Sequence, residues 1–156
     1  MTDPRLAPYI QPATASHAKF FPRGPFISIT LAQGILESNW FTRTAGHNNF
    51  FGIKATQAQI MAGESALIRT REWNGRYLVP QDLHFATYAT PEAAFDAHAT
   101  LLCTPHYLRC QQSSTPADYA RALQACGYAT APNYAAALIH LMASEDLYAY
   151  DHPGVA

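Results

Sequence analysis

A carboxylate at the end of a polar stripe on one apolar stretch, Glu37, is the residue of this sequence best placed to do chemistry. In "FISITLAQGILES", Thr30, Gln33 and Glu37 fall at offsets of three and seven. At 100° per residue they form a narrow stripe between one apolar side, Ile27, Leu31 and Ile35, and another, Ile29 and Leu36. A helix that is apolar on two sides belongs in the centre of a fold. A carboxylate on such a helix is costly unless it is paired, protonated or facing a cleft. Partial burial raises a Glu pKa, and the partial negative charge at a helix C-terminus pushes the same way. Glu37 is therefore a candidate general acid that keeps its proton near neutral pH. The alternative is a Glu37 that projects into solvent or bonds a neighbouring donor such as an Asn amide.

The elements that must position this side chain can be read along the chain. Five prolines among residues 4–25 predict an irregular leader over 1–24, followed by a domain over 25–150 and a short tail over 151–156. Pro25 suits the first turn of a helix that runs to about Ser38. From Ala66 to Ala89 the runs "ALIRTREW" and "RYLVP" flank Asn74-Gly75, which predicts an antiparallel hairpin with a two-residue type I′ turn. That register sets Trp73 opposite Arg76 and Glu72 opposite Tyr77, with Glu72 on the face of Ile68 and Val79. Thr90-Pro91, Thr115-Pro116 and Ala131-Pro132 mark three further helix starts, the first two with Thr caps. Phe95, His98, Ala99 and Leu102 share a face of the first, as do Tyr134, Ala137, Leu138, Leu141 and Met142 in the last. The expectation is an α+β fold, a helical body with one inserted hairpin, the layout of lysozymes.

Composition bounds the ligand. A length of 156 residues suits one domain with a substantial core. A formal charge of -1, with ten scattered Lys and Arg, gives no footprint for nucleic acid or an acidic membrane surface. No apolar run is long enough to span a membrane, and the first thirty residues carry no signal-peptide pattern. Cys103, Cys110 and Cys126 match no zinc spacing and read as buried free thiols; no metal or cofactor is expected.

"LAQGILESNW" followed by "NNFFGIKA" resembles glycoside hydrolase family 73, the bacterial cell-wall endo-β-N-acetylglucosaminidases that include autolysins and flagellar rod hydrolases. The first block carries Glu37, Ser38, Asn39 and Trp40, with Phe41 where the family often has Gly. The second, Asn48 to Lys54, implies a loop lining the cleft behind the acid. Glu72 in "TREW" stands where the family has a second carboxylate, implying a general base or electrostatic helper. The alternative is a solvated carboxylate paired with Arg71 or Arg76. "GYATAPNYAAAL" is similar to the family's C-terminal block, which places Tyr128 in the site, the alternative being a core aromatic between two helices. Ala131 stands where the family often has Asp. If it is the cap of the last helix, Ala131→Asp should stabilise by roughly 1 kcal/mol. The resemblance covers residues 25–148.

It implies hydrolysis of the peptidoglycan glycan strand at N-acetylglucosamine, with Glu37, Glu72 and Tyr128 catalytic. Trp40, Asn49, Phe51, Tyr88 and Tyr134 are candidates to bind sugar. Rival readings are a lytic transglycosylase and a non-catalytic peptidoglycan-binding module. Because that substrate lies outside the cytoplasm, the expectation is a protein made without a signal peptide and delivered to the wall. An antibacterial effector, with a possible immunity protein as partner, or a phage endolysin would fit.

Overall fold

A computed structural model describes residues 3–152. A 3-10 turn, Pro4–Leu6, leads into α1 (Ala7–Phe20), α2 (Ile27–Ser38) and α3 (Gln57–Met61). Two strands follow, β1 (Ser65–Trp73) and β2 (Leu78–Ala86). Helices α4 (Pro91–Leu102), α5 (Leu108–Gln111), α6 (Pro116–Ala125) and α7 (Tyr134–Ser144) complete the body, with a last 3-10 segment at Leu147–Asp151. The fold is α+β, a helical body with one antiparallel hairpin inserted after α2.

Helix α2 is the central element that its two apolar sides predict. Ile27, Ile29, Leu31, Ala32 and Ile35 are all buried, and α1, α6, α7 and the last 3-10 segment pack around them. Thr90 and Thr115 cap α4 and α6, each accepting from a backbone N–H three residues on. Phe95, His98, Ala99 and Leu102 form the buried face of α4.

Five expectations are corrected. Of the expected irregular leader over 1–24, the described residues from Asp3 onward are mostly helical, in a 3-10 turn and α1. The Asp3 carboxylate accepts from Arg5 N at 2.9 Å to start the 3-10 turn, and Pro8 sits in the first turn of α1, where its missing N–H costs nothing. Pro12 lies inside the helix, which tertiary packing sustains: Leu6 and Ala13 are buried, and Lys19 pairs with Glu92 and Asp96 of α4. At the other end, Asp151 belongs to the packed body, its carboxylate accepting from Ser28 N at 2.9 Å; residues 153–156 of the expected tail lie outside the described residues.

The hairpin register is shifted. Glu72 faces Val79 and Trp73 faces Leu78. Gly75 alone takes positive φ, at 93°, so the reversal centres on Gly75 and Arg76, and Asn74 Oδ1 accepts from the N–H groups of Arg76 and Tyr77. The slip is an even number of residues, so Glu72 keeps its face with Ile68 and Val79.

Helix α7 does not start at Ala131-Pro132. Asn133 is the cap position, and Gln124 of α6 supplies the cap from outside: its Oε1 accepts from Ala135 N at 2.8 Å and its Nε2 donates to Pro132 O at 2.9 Å. Finally, of the three free thiols only Cys110 is buried; Cys103 and Cys126 are partly exposed.

Candidate active site

The chain stops α2 at Ser38, one residue after Glu37, and holds the stop from several sides. Asn39, Trp40 and Phe41 all take left-handed φ, at 49°, 61° and 61°, a costly sequence for non-glycine residues. Ser38 Oγ donates to Gly34 O and accepts from Phe41 N, while Ser38 O accepts from Thr42 N and Arg43 N. The N-terminal segment grips the same loop. Tyr9 stacks on Phe41 with ring centroids 4.0 Å apart, and the Arg5 guanidinium lies 3.7 Å over the Trp40 ring.

Glu37 therefore stands in the last turn of a rigid helix. It is exposed by surface area, yet the groove walls take most of the water from its carboxyl. That desolvation raises its pKa, and a hydrogen bond from Tyr134 works against the rise without cancelling it. The Tyr134 hydroxyl donates to Glu37 Oε1 at 3.0 Å and accepts from Gln33 Nε2 at 2.9 Å. Gln33 Oε1 lies 2.9 Å from His98 Nε2, and His98 stacks on Phe51 at 3.9 Å. The polar stripe of α2 thus leads inward from Glu37 to a fully buried histidine. Sequence reasoning placed Gln33 on the stripe and His98 in the core but joined neither to the site; a buried Gln in line with the acid was the available signal.

Glu37 opens into a groove of about 430 Å3 that Phe51, Lys54, Tyr107 and Tyr128 also line. Tyr128 stacks on Tyr134, centroids 5.8 Å apart. Burial, with the Glu37 charge second, raises the Tyr128 pKa and keeps its hydroxyl protonated. Tyr107, in a 3-10 turn after Pro105, had no signal in the sequence. Glu72 is not paired with Arg71 or Arg76: its Oε1 lies 3.9 Å from Lys54 Nζ. Lys54 is bridged to the base of the hairpin at Phe85, so its approach to Glu72 near the tip means that the ribbon bends back toward Lys54, a residue of the groove wall.

The candidate sugar-binding residues divide. Phe51 reaches the groove wall. Asn49, 1% exposed, spends its amide inside the protein, donating to Ile53 O and Ala86 O and accepting from Ile53 N, which ties the loop to the hairpin base. Tyr134, 4% exposed, offers no ring face to a sugar. One face of Trp40 is covered by Arg5, and Tyr88 is half-buried beside the Asn48 side chain, which donates to its carbonyl.

Comparison with known proteins places this geometry. A probable N-acetylmuramidase of Lactococcus lactis is 30% identical over 94% of this chain and 38% of its own length. The peptidoglycan hydrolase FlgJ of Salmonella typhimurium is 34% identical over 73% of this chain and 38% of its own. The chain thus spans well under half the length of these relatives. Among solved structures, a glycoside hydrolase domain of Salmonella typhimurium FlgJ superposes with a TM-score of 0.73 at 29% identity, covering 92% of this chain and 96% of that one. The catalytic domain of the Listeria monocytogenes autolysin Auto gives 0.78 at 25% identity, covering 96% and 89%. Residues 23–147 match the family model for mannosyl-glycoprotein endo-beta-N-acetylglucosaminidase, and the chain belongs to that glucosaminidase family, glycoside hydrolase family 73.

Proposed function

We propose that this domain hydrolyses the glycan strand of peptidoglycan as an endo-β-N-acetylglucosaminidase, with Glu37 as the acid. One observation carries the reading: a carboxyl with a raised pKa, fixed by Tyr134 at the end of a buried helix, in an open groove. Glu37 protonates the oxygen leaving C1 while positive charge develops on the sugar ring. Glu72 then activates water, giving inversion, or the substrate's 2-acetamido group attacks C1, with Glu72 or the Tyr128 hydroxyl orienting it. Lys54 supports either role by drawing Glu72 toward the groove.

The relatives' names differ in the bond they imply, one an N-acetylmuramidase and one, from Bacillus subtilis, an exo-glucosaminidase. Digestion of purified peptidoglycan by the wild type and by Glu37→Gln, with mass spectrometry of the fragments, decides among them. Reducing N-acetylglucosamine ends from the wild type alone are expected. Reducing N-acetylmuramic acid ends would move the cleavage to the other bond, anhydro ends would make the protein a transglycosylase, and inertness would leave a binding module. Since the substrate lies outside the cytoplasm, the proposal extends to a delivered role, as an antibacterial effector or a phage endolysin. An injected toxin would be met by an immunity protein that plugs the groove. Expression confined to the cytoplasm should then be harmless, and export to the periplasm lytic.

A further inference from the structure

The three hydrogen bonds that end at Glu37 have a direction, and the direction is decided at the far end. His98 is fully buried, and its Nδ1 has no partner among the described residues. With the ring proton on Nε2, His98 donates to Gln33 Oε1, Gln33 Nε2 donates to the Tyr134 hydroxyl, and that hydroxyl donates to Glu37 Oε1. The reverse arrangement turns the Gln33 amide over. His98 would then carry its proton on Nδ1, as a buried N–H with nothing to bond, and Tyr134 would donate to Gln33. Glu37 could bond Tyr134 only by pointing its own proton inward. An orphaned buried N–H is rarer in proteins than an under-satisfied acceptor, so the first arrangement is preferred. Burial also holds the His98 pKa at about 3, which keeps the ring neutral.

We propose that His98 and Gln33 are positioning residues: the His98 tautomer orients the Gln33 amide, the amide orients the Tyr134 hydroxyl, and Glu37's acidic proton is thereby left on Oε2. This rests on Glu37 being the acid. None of the three touches substrate; Gln33 and His98 are fully buried and Tyr134 nearly so. An acid whose proton lay on Oε1 would hold it against Tyr134 and away from the leaving oxygen. The other titratable groups that face Glu37 across the groove are Lys54, Tyr107 and Tyr128, and the variants below leave them in place.

The experiment uses the full chain and begins with the wild type. Imidazole 15N NMR should show His98 protonated at Nε2 alone between pH 5 and 8; protonation at Nδ1 would overturn the proposal without any variant. The Glu37 carboxyl is then titrated by 13C NMR, assigned with Glu37→Gln, beside kcat and KM on peptidoglycan fragments. Tyr134→Phe and His98→Phe should both move the titration upward, and His98→Phe should lower kcat about tenfold with KM little changed. In a Gln33→Leu background, His98→Phe should move neither quantity further, because no amide remains to be oriented. An undiminished effect of His98→Phe in that background would reduce its role to packing. If Glu37→Gln is as active as the wild type, the acid assignment itself falls, while the tautomer and the carboxyl titration still report on the chain.

Discussion

The Phe41 ring lies so close to Gly34 that a Cβ on Gly34 would come within 2.4 Å of its Cε1 and 2.5 Å of its Cζ. The bulky residue where the family often has glycine is accommodated by a glycine of α2, the helix its loop leaves and folds back on. Gly34→Ala should therefore destabilise by about 1–3 kcal/mol through overpacking, although alanine is the better helix former. An unchanged urea midpoint would mean that the ring swings aside freely.

Leu6 is wholly enclosed, in a segment whose prolines suggest no structure at all. Leu6→Ala should cost about 2–5 kcal/mol, as for a core leucine anywhere in the body. Equal melting temperatures for the variant and the wild type would restore the irregular leader.

Glu37→Gln should stabilise the domain at high pH and leave it unchanged at low pH. The folded pKa is raised by desolvation, so between the ordinary glutamate value and the raised one the native state binds more protons than the unfolded chain. Stability falls as pH rises through that window, and the neutral amide removes the fall. Urea unfolding at pH 4 and pH 8 should show the variant's advantage only at the higher pH.

His98 acts with the opposite sign. Its folded pKa, about 3, lies below the ordinary 6.5, so the unfolded chain takes up a proton that the native ring refuses. The contribution is complete above pH 6.5 and is lost as pH falls toward 3, amounting to roughly 4 kcal/mol at the end of that range. His98→Phe should flatten the stability profile between pH 6.5 and 4. A profile as steep as the wild type's would place acid sensitivity elsewhere.

Gln124 replaces the missing cap of α7. Gln124→Ala should cost about 1 kcal/mol, the usual worth of a cap, whereas Ala131→Asp should give no gain because residue 131 precedes the cap position. Paired thermal melts would show both.

The sequence made the central helix legible because its polar stripe is so narrow, and with it the acid. The hairpin was legible as a pair of strands, but its turn was not. Asn74 satisfies the backbone with its side chain rather than by taking positive φ, a choice between two local solutions of similar energy. Helix α1 and the Gln124 cap were hidden because partners outside each helix stabilise them, Glu92 and Asp96 for the one and Pro132 with Ala135 for the other. The same is true of the site. Gln33 reads as part of a stripe, His98 as a core residue and Tyr134 as a core aromatic or a sugar platform, and only the fold brings them into one line with Glu37.

The hairpin is tied to the body at its base, where Ala55 N donates to His84 O, Ala86 N donates to Ile53 O and Lys54 bridges Phe85. Its far end carries Trp73, Tyr77 and Leu78 in solvent. Nine residues of strand amount to a lever arm of at most about 30 Å. A tilt of about 10° at the fulcrum would leave the base bonds nearly unstretched and carry the tip through up to about 5 Å. Glu72 rides near that tip while Glu37 is bolted to the body, so the spacing between the two carboxylates is set by a joint, not by the core.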